Sequence, residues 1–166
     1  AAAVGFIVFF EHKQPSSRER AENSRLVLQL DSAEVTGVEI TNAAGKVTLN
    51  RENGGAWRVT SPVKDRADAT GLGPVLELAS AAEVDQRIPA KEADKKSELR
   101  GYGLDKGNAV RVVFTLAGGK KHSLLVGKDA AYEGTSYIRV EGEDEADVLV
   151  ARTPARPLLA RAPGEW

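Results

Sequence analysis

Between residues 26 and 60, apolar side chains fall on every second position and turn residues interrupt the run at intervals. Leu26, Leu28 and Leu30 alternate, as do Val38 and Ile40. Beyond the small-residue stretch Asn42-Ala43-Ala44-Gly45 the alternation resumes at Val47 and Leu49, and Asn53-Gly54-Gly55 then turns the chain into Trp57 and Val59. Period two with Asn and Gly punctuation is the pattern of half-buried antiparallel strands joined by tight turns. Val38 and Ile40 are therefore predicted to pair with Val47 and Leu49 in a meander. Pro62, which has no N–H to give a ladder, ends it.

The period then changes. Leu72, Val75, Leu76 and Ala79 sit at the i, i+3, i+4, i+7 spacing of one buried helical stripe, with Asp68 placed to cap the helix. Gly71, Gly73 and Pro74 weaken its first turns, which makes Pro74 an alternative start. Val84 to Ile88 reads as a short strand, and the polar run Lys91 to Leu99 as a helix that stops at Gly101 in a left-handed cap. Alternation returns at Val110, Val112, Phe114 and Leu116; Gly118-Gly119 turns; Leu124 and Val126 run back. Tyr137 to Val140 and Val148 to Val150 add two strands around the acidic turn GEDEAD. The fold class is thus α+β, mostly antiparallel β meanders with one or two short helices. ITNAAGKVTLNRENGGAW and FTLAGGKKHSLLVGKDAAY each make a hairpin with a small-residue turn and a lysine, followed by a glycine-bearing turn, which points to a possible duplicated β unit.

The opening stretch AAAVGFIVFF carries no charge and runs directly into Glu11, His12 and Lys13. As a helix it would be about 15 Å long, half of a hydrocarbon core of about 30 Å. Val4, Phe6, Ile7, Val8, Phe9 and Phe10 read as the outer part of a membrane anchor, or the end of a signal segment; a buried N-terminal strand is the alternative, since these side chains favour strands. The polar, Pro15-containing stretch behind them looks like a solvated linker and favours the anchor. The expected organisation is residues 1–13 as the C-terminal part of the anchor or signal segment, 14–25 as linker and 26–151 as the domain. Residues 152–166, rich in Arg and Pro, are expected to be a connecting segment.

Composition narrows the chemistry. A net charge of −1 offers no electrostatic footprint for nucleic acid or anionic lipid. The absence of cysteine removes disulfides, thiolate metal ligands and thiol nucleophiles. His12 and His122 lack the spacing of a zinc site. In the acidic run Glu141, Glu143, Asp144, Glu145, Asp147, Gly142 comes too early for a calcium loop, so a charged hairpin tip is the better reading. Gly118-Gly119-Lys120 and Gly127-Lys128 lack the rest of a phosphate loop. His122 and Ser123 are neighbours on a strand and point to opposite faces, so they cannot act as base and nucleophile. A hydrolase using Asp65, Asp68 or Asp105 would need paired carboxylates in a cleft, which no spacing here suggests. Trp57 and Tyr102 are candidate ligand platforms, although Trp57 is in phase with Val59 on an inward face.

Taken in order, GAWRVTSPVKDRAD, LRGYGLDKGNAVRVVF, LLVGKD and SYIRVEGEDEADVLV resemble the bacterial family called domain of unknown function 4340. The resemblance rests on Trp57, Val59, Pro62, Ala67 and Asp68; on Tyr102, Gly103 and Leu104; on Val126 and Gly127; and on Tyr137 and Ile138. It implies a protein of the bacterial inner membrane with one N-terminal membrane helix and a β-rich domain facing the periplasm or cell exterior. It also implies association with gliding-motility-type ABC transporter components as an auxiliary subunit, and it carries no catalytic, cofactor or metal residues. The apolar segment is shorter here than the family's membrane helix, and many relatives continue past the position of Trp166. The expected function is a non-catalytic auxiliary or assembly subunit that contacts transporter or other envelope proteins. The alternative is an extracytoplasmic ligand-binding module for peptide, glycan or lipid, which would require an apolar groove rimmed by a few polar groups.

Overall fold

The computed structural model describes residues 25–93, 96–142, 146–153 and 155–166. The anchor residues Val4 to Phe10 and most of the linker lie outside them. Among the described residues, nine strands form one antiparallel sheet: β1 (Val35–Asn42), β2 (Gly45–Arg51), β3 (Trp57–Ser61), β4 (Asp65–Arg66), β5 (Val84–Ile88), β6 (Val110–Leu116), β7 (Lys121–Asp129), β8 (Thr135–Val140) and β9 (Val148–Arg152). Helix α1 (Ala69–Ser80) lies between β4 and β5, and the short helices α2 (Ala90–Ala93) and α3 (Lys96–Gly101) precede β6.

The spatial order is β4-β3-β2-β1-β6-β7-β8-β9-β5. Each meander starts at the centre and runs outward, and their first strands, β1 and β6, pair with each other through Val38↔Phe114 and Ile40↔Val112. The predicted hairpin has the register Val38↔Leu49 and Ile40↔Val47. The two meanders thus open at a shared seam.

Helix α1 joins the two ends of this order. Its 12 residues reach about 18 Å, whereas nine strands laid flat at about 4.8 Å spacing would hold the outer two about 38 Å apart. With only Ala67-Asp68 and Ala81 to Glu83 as connectors, the sheet must curl around the helix, in the sense its natural twist allows. Leu72, Val75, Leu78 and Ala79 accordingly enter one core with Leu49 and Val59 from one half and Leu124, Ile138 and Leu149 from the other. Asp68 is the N-cap, and Pro74 is accommodated inside the helix rather than at its start. A smaller cluster lies on the opposite face, where Ala93, Leu104 and Val148 are packed by Leu99, Tyr102, Leu125 and Tyr137.

Three expectations differ from what is found. The Leu26 to Leu30 alternation makes no strand: one bridge joins Leu26 to Glu83, and the backbone N–H groups of Val27 and Leu30 are drawn to the carbonyls of Ala82 and Ala79 at the end of α1. The helix expected over Lys91 to Leu99 is two short pieces, and the left-handed residue behind it is Gly103 (φ 69°), not Gly101. Residues 155–166, expected to connect onward, pack into the main core through Ala155, Leu159 and Trp166. The apolar residues of that stretch follow neither helical nor strand spacing; residues 158–160 lie against α1 and β1, and residues 163–165 against β2.

Phe114 is fully buried at the seam. Phe114→Ala is expected to cost about 3–5 kcal/mol, measured by urea unfolding, with the denaturant slope unchanged.

Candidate functional site

The motif residues gather in two places, one on each side of the sheet. On the α1 side, Asp68 is the pivot. One carboxylate oxygen accepts from the Thr70 hydroxyl and, at 3.0 Å, from the Thr70 backbone N–H. The other takes the Arg161 guanidinium at 2.9 Å. The Thr70 hydroxyl and then Arg161 hold this carboxyl down from 3.8 to about 2, against the opposing effect of burial. Gly71 makes room for the pair, since a Cβ there would meet Arg161 Nη1. Asn42, at the end of β1, fixes the tail from below by donating to the carbonyls of Leu159 and Arg161, both at 2.8 Å. The Arg161 guanidinium also lies over the Trp166 ring, 5.5 Å from its centroid.

On the opposite side, Tyr102, Gly103, Leu104, Gly127 and Tyr137 meet in one joint. The Tyr102 and Tyr137 rings pack at 4.7 Å with a 45° tilt. Burial, followed by the charge of Glu98, raises the Tyr102 phenol above its ordinary value. Lys128 N–H donates to the Tyr102 carbonyl at 3.0 Å, and Arg156 Nε donates to the Gly127 carbonyl at 2.7 Å. A Cβ on Gly127 would run into the Tyr102 carbonyl oxygen, and one on Gly103 would come within 2.8 Å of Lys128 N. The glycines therefore let the loop after α3 lie directly on β7.

Trp57 is half-buried against the core, and its exposed side borders a surface groove of about 420 Å³ with Arg58 and Arg66. Pro62 follows the last residue of β3 through a cis peptide bond with Ser61. The carboxylates considered for hydrolysis serve local structure: Asp65 accepts from Arg66 N–H, and both oxygens of Asp105 accept from Asn108 Nδ2 at 2.9 Å. From the acidic run, Glu141 pairs with Arg111 at 2.6 Å and Asp147 accepts from Ala90 N–H; residues 143–145 lie outside the described residues. His122 stands opposite Phe114 on β7. Among the described residues no group of three or more His, Asp or Glu is placed to hold a metal ion, and no helix is long and apolar enough to cross a membrane.

Two larger grooves are present. One, of about 860 Å³ between the end of α1 and the β8 approach, is bordered by Glu77, Glu83, Asp85 and Glu133 with Arg152 and the exposed Tyr132. The other, of about 580 Å³, lies on the face opposite α1, where Leu104, Ala109 and Leu125 meet Lys106, Arg111 and Glu141.

The family described as a domain of unknown function (DUF4340) matches residues 57–166, from Trp57 through both motif clusters to Trp166. The chain belongs to this family. No curated protein and no solved structure matches the chain. The DUF4340 match includes the C-terminal tail, in keeping with the tail's place in the core. From the sequence, Gly71 reads only as a weak helix turn and Asn42 only as a hairpin turn residue, and Arg161 and Trp166 carry no role. Only the arginines of the tail could have hinted at a partner for Asp68, and no spacing rule connects residues 93 positions apart.

Two measurements check this arrangement. Because the folded Asp68 carboxyl titrates near 2 rather than 3.8, its charge adds stability above its ordinary value, and that contribution is lost as the pH falls through about 4 towards 2. Asp68→Asn keeps the capping oxygen and removes the charge. The melting-temperature gap to the native chain is expected to be widest above pH 5 and to close on acidification, with Arg161→Ala adding little to Asp68→Asn. Gly127→Ala is expected to destabilise by about 1–3 kcal/mol in chemical unfolding, while Gly54→Ala, with nothing within 4 Å of the added carbon, has little effect.

Proposed function

We propose that this chain is the extracytoplasmic domain of a protein anchored in the bacterial inner membrane by its N-terminal apolar segment. In this reading it works without catalysis, as an auxiliary or assembly subunit of an ABC-type transport system of the gliding-motility kind. The observation that carries the reading is how the motif residues are used. Asp68 caps a helix and fastens the tail, and Tyr102, Gly103, Leu104, Gly127 and Tyr137 lock a loop onto a strand. These are the needs of a scaffold that must keep one shape while others dock on it.

A docking face is at hand. Opposite α1, the central strands present Glu39, Thr41, Arg111 and Thr115, with ion pairs Glu39–Lys46 at 2.9 Å and Arg111–Glu141 at 2.6 Å. A charged surface of this kind suits a partner held by complementary charges and released again, because such interfaces gain specificity and association rate more than raw affinity. The described chain begins at the β5 edge, where Arg25 and Val27 bond to Val84 and Ala82.

The test is affinity purification of the full-length, tagged protein from detergent-solubilised membranes. Membrane and nucleotide-binding subunits of an ABC transporter are expected to co-purify, with recovery reduced several-fold by Glu39→Lys. Isolation of the tagged chain alone, after mild cross-linking as well, would contradict the assignment.

A further inference from the structure

The hairpin that joins β2 to β3 turns through Glu52, Asn53, Gly54 and Gly55. Its ends are held by main-chain bonds: Gly55 N–H donates to the Glu52 carbonyl and Glu52 N–H to the Ala56 carbonyl, both at 2.8 Å. Gly55 takes the left-handed conformation (φ 85°) that closes such a loop. The two residues at the tip stand outside this scheme. Among the described residues, neither the Asn53 carboxamide nor the Gly54 N–H has a hydrogen-bond partner. Both residues are exposed, and nothing lies within 4 Å of the place a Cβ on Gly54 would occupy.

The other described asparagines are in the opposite condition. Asn42 donates to the carbonyls of Leu159 and Arg161 and accepts from the N–H groups of Ala44 and Gly45. Asn50 donates to the Thr60 hydroxyl at 3.1 Å, and Asn108 to Asp105 at 2.9 Å. Each is followed by a residue that carries a Cβ, namely Ala43, Arg51 and Ala109. Among these, only Asn53 joins an unengaged carboxamide to a following glycine, whose bare backbone can swing its nitrogen onto the side chain before it.

We propose that Asn53-Gly54 is a site of self-modification, spontaneous deamidation through a cyclic imide. The Gly54 amide nitrogen gives its proton to hydroxide and attacks Asn53 Cγ, the chemistry that makes asparagine a heat-labile residue. The new C–N bond closes a succinimide ring, and the side-chain nitrogen takes a proton from water and leaves as ammonia. Water then opens the ring at either imide bond. Cleavage at Cγ gives aspartate; cleavage at the main-chain carbonyl gives isoaspartate, with the backbone running through Cβ and Cγ. Either product sets a carboxylate beside the Glu52–Arg58 ion pair and makes the formal charge of −1 one unit more negative. Neither tip residue belongs to the core, so the fold tolerates the change. The modification is independent of any transporter partner.

The test is incubation of the purified, folded chain at 37 °C in buffers between pH 7 and pH 9, followed by tryptic mapping. Trypsin releases Glu52–Arg58, which holds Asn53 as its one asparagine and Trp57 as its chromophore. Isoaspartate at position 53 is expected in excess of aspartate, with ammonia released in matching amount. The rate should rise up to about tenfold per pH unit, as the deprotonated amide fraction does. It should lie within about threefold of the rate in the end-blocked synthetic peptide Glu52–Arg58, a small difference in barrier. Gly54→Ala should slow it about tenfold, and Asn42, Asn50 and Asn108 should stay intact over the same period. Protection of Asn53 in the folded chain by more than about tenfold relative to the peptide would overturn the proposal. So would a rate indifferent to pH or to Gly54→Ala, or faster loss at Asn42, Asn50 or Asn108. All but one of these readings are made on the native chain, so the test does not depend on the variant folding.

Discussion

The fold depends on a single short element having to bridge the two outermost strands of a nine-stranded sheet. Because α1 runs from β4 to β5 with few connecting residues, the sheet has one available shape, curled with its apolar face inward, and the helix fills the hollow. That hollow is where Leu72, Val75 and Leu78 meet residues from both meanders. The cap at Asp68 has a correspondingly large role, since it fixes where the bridging helix begins. Arg161 uses the same carboxylate to bring the C-terminal tail under the helix, so helix start and chain end are held by one group.

The opposite face is organised by backbone proximity rather than by charge. Gly103 and Gly127 let two chain segments approach until main-chain groups bond directly, and the Tyr102–Tyr137 pair covers the contact. This seats the buried Leu104 against Gly127 of β7, beside the groove of about 580 Å³.

Local pattern and long-range contact were legible in the sequence to different degrees. The hairpin pairing of Val38 and Ile40 with Val47 and Leu49, the helix after Asp68 and the strand sequence from Val110 to Val150 all follow from period and punctuation, because each depends on neighbours in the chain. The β1–β6 seam, the partner of Asp68 and the burial of Trp166 depend on contacts across many tens of residues, for which periodicity has no signal. Leu26 to Leu30 misleads for a related reason: its alternation is real, but the acceptors its N–H groups reach are carbonyls at the end of a helix. At the candidate site the motif residues could be named in advance, whereas the groove could not, since it is assembled from β1, β6, β7 and a loop.

The meeting of β1 with β6 has a kinetic consequence. Every other pairing within the two meanders joins strands adjacent in sequence, so each half can zip up by short loops at small entropic cost. The seam and the β5–β9 contact are the distant closures, and each costs more loop entropy than any single hairpin. From topology alone, the local ribbons are expected to form before the seam joins them.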